Sequence, residues 1–131
     1  MWGAFSGKPK VLCVDDQYGI RALLKEILKL DYDVMTVGTG EEAMEGILRF
    51  DPQVVILDMK LDKMKGTEVL KFIKQVNRRI CTIMITGYQD SDMINEIKGL
   101  GPEKIITKPF DTEQIRNSVK ELVQIRKEGH C

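Results

Sequence analysis

Short apolar runs alternate with helical patterns along most of the chain, and this alternation constrains the fold more than any other feature. The runs Val11-Leu12-Cys13-Val14, Asp33-Val34-Met35-Thr36-Val37, Val54-Val55-Ile56-Leu57, Thr82-Ile83-Met84-Ile85 and Lys104-Ile105-Ile106-Thr107 are rich in Val and Ile. Most lack strict polar alternation, as strands covered on both faces do. Between them, Ile20, Leu23, Leu24, Ile27 and Leu28 carry the spacing of an amphipathic helix over 17–30. Further helices are expected over 41–50, capped by Thr39 or Gly40, over 67–76, and over 91–100, which Gly99 and Gly101-Pro102 end. The last is expected from Asp111, with Gln114 as capping-box partner, to about Lys127. Five βα units with right-handed crossovers predict an α/β three-layer sandwich, a flavodoxin-like (βα)5 fold with a parallel five-stranded sheet of order 2-1-3-4-5.

Parallel strands bring their carboxyl ends to one rim, where open α/β sheets bind ligands. Here that rim collects Asp15 and Asp16 after the first run, Asp58 after the third, Thr86-Gly87 after the fourth and Lys108-Pro109-Phe110 after the fifth. The set has the parts for phosphoryl transfer to a carboxylate. Carboxylates hold Mg²⁺, which prefers oxygen ligands and keeps several waters. One carboxylate can act as nucleophile, because aspartyl-phosphate is an established covalent intermediate. A hydroxyl and an ammonium can then bind the phosphoryl oxygens as charge spreads over them.

Each residue also has a plainer use. Asp16 could cap the first helix, Thr86 could end a strand, and Lys108 could be a solvated lysine. Three carboxylates at adjacent strand ends favour the cation site, because like charges so placed raise each other's proton affinity. Gly87 serves either a turn or room for a ligand.

With 131 residues and 43% hydrophobic content, the chain fits one compact domain. Twenty basic and twenty acidic residues cancel, which removes a global electrostatic case for nucleic acid or an anionic membrane. Cys13, Cys81 and Cys131 lack metal-ligand spacing; the first two read as core or near-core thiols in a reducing compartment. The opening eight residues resemble no signal peptide, so a cytoplasmic protein is expected. His130, the only histidine, gets no catalytic role.

Together, Asp15-Asp16, Asp58, Thr86-Gly87 and Lys108-Pro109-Phe110 resemble the receiver domain of two-component response regulators. The likeness runs from Lys10 to about Lys127, within a domain expected over 9–128, between an N-terminal extension of residues 1–8 and a tail of 129–131. Val14-Asp15-Asp16-Gln17-Tyr18-Gly19-Ile20-Arg21, Asp58-Met59-Lys60 and Lys108-Pro109-Phe110-Asp111 look like the single-domain sporulation phosphorelay branch of that family.

The resemblance implies that Asp58 accepts a phosphoryl group from a histidine on a kinase or phosphotransferase. It implies direct Mg²⁺ ligation by Asp16 and Asp58, with Mn²⁺ as a substitute, help from Asp15 through water, and a ligand in the Lys60 backbone carbonyl. Thr86 would move to the phosphoryl group, Lys108 would pair with it, and Lys108-Pro109 would be cis. The first helix has an apolar stripe of about 140°, wider than the roughly 100° that a core-facing helix needs. By resemblance, its edge with Ile20 and Leu23, beside Gln17, Tyr18, Pro109 and Phe110, docks a histidine-bearing helical bundle.

Two positions depart from the family pattern. Asp62 stands where receivers often have Pro, although Gly66 is retained. Ile105 stands where many have an inward-swinging aromatic, so that switch does not carry over. Lys60 and Tyr88, two residues beyond Asp58 and Thr86, are placed to obstruct an in-line water and so slow hydrolysis.

The expected product is a self-catalysing phosphoacceptor, monomeric, that switches protein contacts with a downstream protein or relays the group onward. A receiver excised from a larger regulator or hybrid kinase has the same features. An aspartate-nucleophile phosphatase fits less well, since such enzymes usually place a second acid where Lys60 stands. A flavodoxin-like carrier would want open backbone amides where Asp15 and Asp16 stand.

Overall fold

The computed structural model describes residues 7–87 and 91–127. Its elements run β1 (Lys10–Val14), α1 (Tyr18–Leu28), β2 (Asp33–Val37), α2 (Gly40–Arg49), β3 (Val54–Asp58), α3 (Gly66–Val76), β4 (Cys81–Gly87), α4 (Ser91–Gly99), β5 (Lys104–Lys108) and α5 (Thr112–Lys127). The five strands pair in parallel in the order β2-β1-β3-β4-β5, as the alternation predicts.

Strand periodicity divides the interior into two cores. Val11, Cys13, Val54, Ile56, Ile83 and Ile85 face Leu24, Ile27 and Leu28 of α1 and Ile115, Val119 and Leu122 of α5. The alternate residues Leu12, Val14, Val55, Leu57 and Met84 face Ala43 and Ile47 of α2, Val69, Leu70 and Ile73 of α3, and Ile97 of α4. Successive side chains point to opposite faces of a pleated strand, so each central strand serves both cores. Every residue of β3 is buried, whereas edge strands β2 and β5 are largely half-buried.

Local chemistry sets most helix starts. Thr39 caps α2 by accepting from the Glu42 N–H at 3.1 Å, while Glu42 Oε1 accepts from the Gly38 N–H. Asp111 accepts from the Gln114 N–H at 2.7 Å ahead of α5. The first helix starts one residue later than its periodicity suggests. The Gln17 N–H is taken by the Asp15 carboxylate at 2.8 Å, and Gln17 stays extended as the N-cap.

Cys13 lies wholly in the core, where desolvation and the Asp15 charge push its thiol up to about 12, leaving it inert. Cys81 is equally buried but disulfide-bonded, not the free thiol expected, a pairing that sequence spacing did not signal. Trp2, Tyr88, His130 and Cys131 lie outside the described residues. Among those described, no helix is long and apolar enough to cross a membrane.

Candidate phosphoacceptor site

Strand register assembles the site. Val14 pairs with Leu57, Asp58 with Ile85, and Thr86 with Thr107. Asp15 and Asp58 therefore follow a matched pair on neighbouring strands, Thr86 follows Asp58's partner, and Lys108 follows the partner of Thr86. Four residues distant in sequence reach one rim through three parallel ladders.

The two inner carboxylates are buried, Asp15 at 1% exposure and Asp58 at 5%, while Asp16 is open to solvent. Asp58 Oδ1 accepts from the Lys60 N–H at 3.3 Å, and Oδ2 lies 3.3 Å from Lys108 Nζ. The same ammonium stands 3.7 Å from Asp15 Oδ2, too far for a hydrogen bond, and that oxygen is buried without a hydrogen-bond partner. Burial, then the Asp15 charge, push the Asp58 carboxyl up to about 6; Lys108 and the Lys60 N–H pull the other way.

Asp16 does not cap α1, whose N-cap is Gln17 without a side-chain cap. Instead, Asp15, Asp16 and Asp58 each offer a carboxylate oxygen within 4.8 Å of the others. Three carboxylates against one ammonium leave excess negative charge, with one buried oxygen unsatisfied. A divalent cation that prefers oxygen ligands fits this donor set.

Thr86 is fully buried at the end of β4, and its hydroxyl donates to the Gly87 carbonyl at 3.1 Å. The Lys108–Pro109 bond is cis. Ile105 is half-buried against the α2/α3/α4 core at the position where many receivers have an aromatic.

The loop after Asp58 meets the loss of Pro in its own way. Met64 N–H bonds the Asp62 carbonyl at 2.8 Å around Lys63 at φ +66°, a tight turn made without Pro. Gly66 opens α3 against Asp58 itself. A Cβ there would collide with the Asp58 carbonyl and stand 2.9 Å from Met59 Cα, so only glycine permits this approach. Gly66→Ala is expected to destabilise the fold by about 1–3 kcal/mol, read by denaturant unfolding, because the obstacle is backbone that cannot step aside.

Ile20, Leu23, Lys108, Pro109 and Phe110 line a groove of about 370 Å³, and Lys108 joins it to the acidic rim. Tyr18 at 76% exposure and Leu23 at 43% leave an apolar edge of α1 in solvent, while Leu24, Ile27 and Leu28 are core. Ile20 and Phe110 are half-buried, and Gln17 is exposed.

Among the contacts that escaped the sequence reading, one reaches the rim from α1. Arg21 of α1 donates from Nη1 to the Asp15 backbone carbonyl at 2.7 Å. Helical spacing marks Arg21 only as part of a polar face and does not show where its guanidinium goes.

Comparison with known proteins agrees with this geometry. The family model described as "Response regulator receiver domain" matches residues 11–120. Sporulation initiation phosphotransferase F of Bacillus subtilis is 41% identical over 118 residues, 89% of this chain and 95% of that protein. Several other relatives are longer, and this chain spans 24–49% of their length. The receiver domain of a putative Luxo repressor protein from Vibrio parahaemolyticus superposes with a TM-score of 0.87 at 32% identity, over 93% of this chain and 95% of that one. A CheY-like receiver domain protein from Methanospirillum hungatei gives 0.89 at 26% identity, over 94% and 99%. With the acidic rim, Thr86 and Lys108 at matched strand ends and a family model spanning most of the sequence, the chain belongs to the response regulator receiver domain family and accepts phosphoryl groups in two-component signalling.

Proposed function

We propose that Asp58 takes a phosphoryl group from a phosphohistidine on a histidine kinase or phosphotransferase and, as a monomer in the cytoplasm, relays it or alters contact with a downstream protein. The observation that carries this is the asymmetric setting of Asp58. It is buried, with one oxygen turned to a backbone N–H and the other to Lys108, beside an unsatisfied carboxylate oxygen of Asp15. An Asp58 oxygen forms the new bond to phosphorus, the phosphorus–nitrogen bond breaks, and the electron pair returns to the imidazole. Asp16, Asp58 and the Lys60 carbonyl would hold Mg²⁺, with Asp15 acting through water and Mn²⁺ as a substitute. When bound, the ion neutralises charge on the phosphoryl oxygens.

Lys108 already spans two carboxylates and can transfer its contact to the incoming oxygens without a large excursion. Thr86 would exchange its Gly87 acceptor for a phosphoryl oxygen. With Ile105 packed in place, this displacement would reach the surface through the loops rather than through an aromatic swing. Incubation with acetyl phosphate and Mg²⁺, followed by intact mass and site mapping, tests the reading. One phosphoryl group on Asp58 supports it; no gain in mass, or a gain elsewhere, sinks it.

The groove between α1 and the β5–α5 turn would receive the donor's helical bundle, with Gln17, Tyr18, Ile20, Leu23, Pro109 and Phe110 as its contacts. It opens beside Lys108, so a docked partner's histidine would face the acceptor. Ile20→Ala should slow transfer from a protein donor by about tenfold, the size of an ordinary interface anchor, and leave acetyl phosphate labelling intact. Equal loss with both donors would indicate a damaged fold.

Hydrolysis of the aspartyl phosphate is expected to be slow. Lys60 is exposed at the mouth of the site and would obstruct the water's approach, with Tyr88, outside the described residues, as its counterpart. Lys60→Ala and Tyr88→Ala should each shorten the phosphoprotein lifetime several-fold after donor removal, on the order of 1 kcal/mol of barrier. Decay as slow as the parent's in both would refute shielding.

A further inference from the structure

Arg21 sits at a junction that the proposed chemistry leaves without a role. Its Nη1 donates at 2.7 Å to the Asp15 carbonyl, the oxygen of the peptide linking Asp15 to Asp16. The N–H of Asp15 is fixed by the Val37 carbonyl at 3.2 Å, and its Oδ1 by the Gln17 N–H at 2.8 Å. The Gln17 bond closes a ring around the Asp15–Asp16 peptide and restrains it from the Asp15 side chain. The Arg21 bond adds a restraint on the carbonyl oxygen itself and so helps set Asp16 relative to Asp15.

The guanidinium has a prepared seat. A Cβ on Gly38 would lie 2.9 Å from Arg21 Nη1 and 3.4 Å from Cζ, so the missing side chain makes its room. Gly38 does not have the left-handed backbone that would itself call for glycine, and its other recorded contact, from its N–H to Glu42 Oε1, any residue could make. Arg21 Cζ also stands 5.8 Å from the centroid of the exposed Tyr18 ring, within cation–π range. A planar, permanently charged guanidinium makes both contacts, which an ammonium reproduces only in part.

We propose that Arg21 is a positioning residue for the divalent cation: seated against Gly38, it holds the Asp15–Asp16 peptide so that the two carboxylates stand ready to bind. This rests on the acidic rim being the Mg²⁺ site. Outer contacts that orient metal ligands commonly change affinity by about 10–100-fold when removed. The same size of effect is expected here.

The test is calorimetric titration of Mg²⁺ into the full chain, with metal-free melts of every variant. Arg21→Ala should raise the Mg²⁺ Kd by roughly tenfold or more. Arg21→Lys should recover part of the loss. Gly38→Ala, which keeps Arg21 but displaces its flexible end, should weaken Mg²⁺ by a smaller factor. In the double variant the two losses should not add, because both remove one contact. Parent-like Mg²⁺ affinity in Arg21→Ala or Gly38→Ala, whatever their melting temperatures, overturns the inference, as do additive losses in the double variant. If Arg21→Ala does not fold, Gly38→Ala alone decides. A parent chain that binds no Mg²⁺ overturns the cation site and the inference together.

Discussion

Asp58→Asn is expected to give a folded protein that takes no phosphoryl group from acetyl phosphate and, in chelator at neutral pH, melts above the parent. Loss of labelling follows because an amide offers no carboxylate nucleophile at the one position beside both Lys108 and the end of β4. The stability gain follows from the carboxyl held up to about 6, chiefly by burial and then by the Asp15 charge. Its ordinary value is 3.8, so between these values the folded chain binds more protons than the unfolded one. Stability then falls as pH rises through that window and stays low above it. At neutral pH the ionised carboxylate costs about 1–3 kcal/mol, which the neutral amide avoids. Metal-free melts between pH 4 and 7 check this on the order of several degrees. A parent whose stability rises across the window, or a labelled Asn variant, would contradict the assignment.

Asp16→Ala is expected to erase the stabilisation that Mg²⁺ gives the parent. A ligand that binds only the folded chain adds about 2.7 kcal/mol at a hundredfold excess over its Kd. Removing one of three carboxylates whose oxygens lie within 4.8 Å of one another takes away the solvent-facing member of the proposed cation site. The same change lessens repulsion at the rim, so the metal-free variant should melt at or slightly above the parent. Thermal melts with and without Mg²⁺ separate the two effects. An undiminished metal shift in Asp16→Ala would remove Asp16 from the site.

The acceptor rim was legible in the sequence because parallel register does most of the placement. Once Val14, Leu57, Ile85 and Thr107 are strand residues, the next positions converge whatever the loops do. The apolar edge of α1 was legible for a similar reason, since a stripe wider than its core contact must leave residues such as Leu23 outside. Hydrogen-bond choices at the rim were not legible. Asp15 spends one oxygen on the Gln17 N–H and leaves the other unsatisfied; Thr86 turns to Gly87; Arg21 reaches six residues back to a carbonyl. Each depends on the backbone course of a short loop, which hydrophobic periodicity does not encode.

The division of the interior by the sheet bears on how such a chain tolerates change. The α1/α5 residues and the α2/α3/α4 residues form separate clusters, one on each side of a single layer of backbone. A methyl group lost on one side opens a void that side chains on the other side cannot fill, so each half must heal its own defects. Repacking one half then need not disturb the helices of the other. The carboxyl rim belongs to both: Asp15 follows Val14, whose side chain lies in one core, while the Asp15 backbone is tied by Arg21 to the helix of the other. Residues there inherit the tolerances of two independent assemblies.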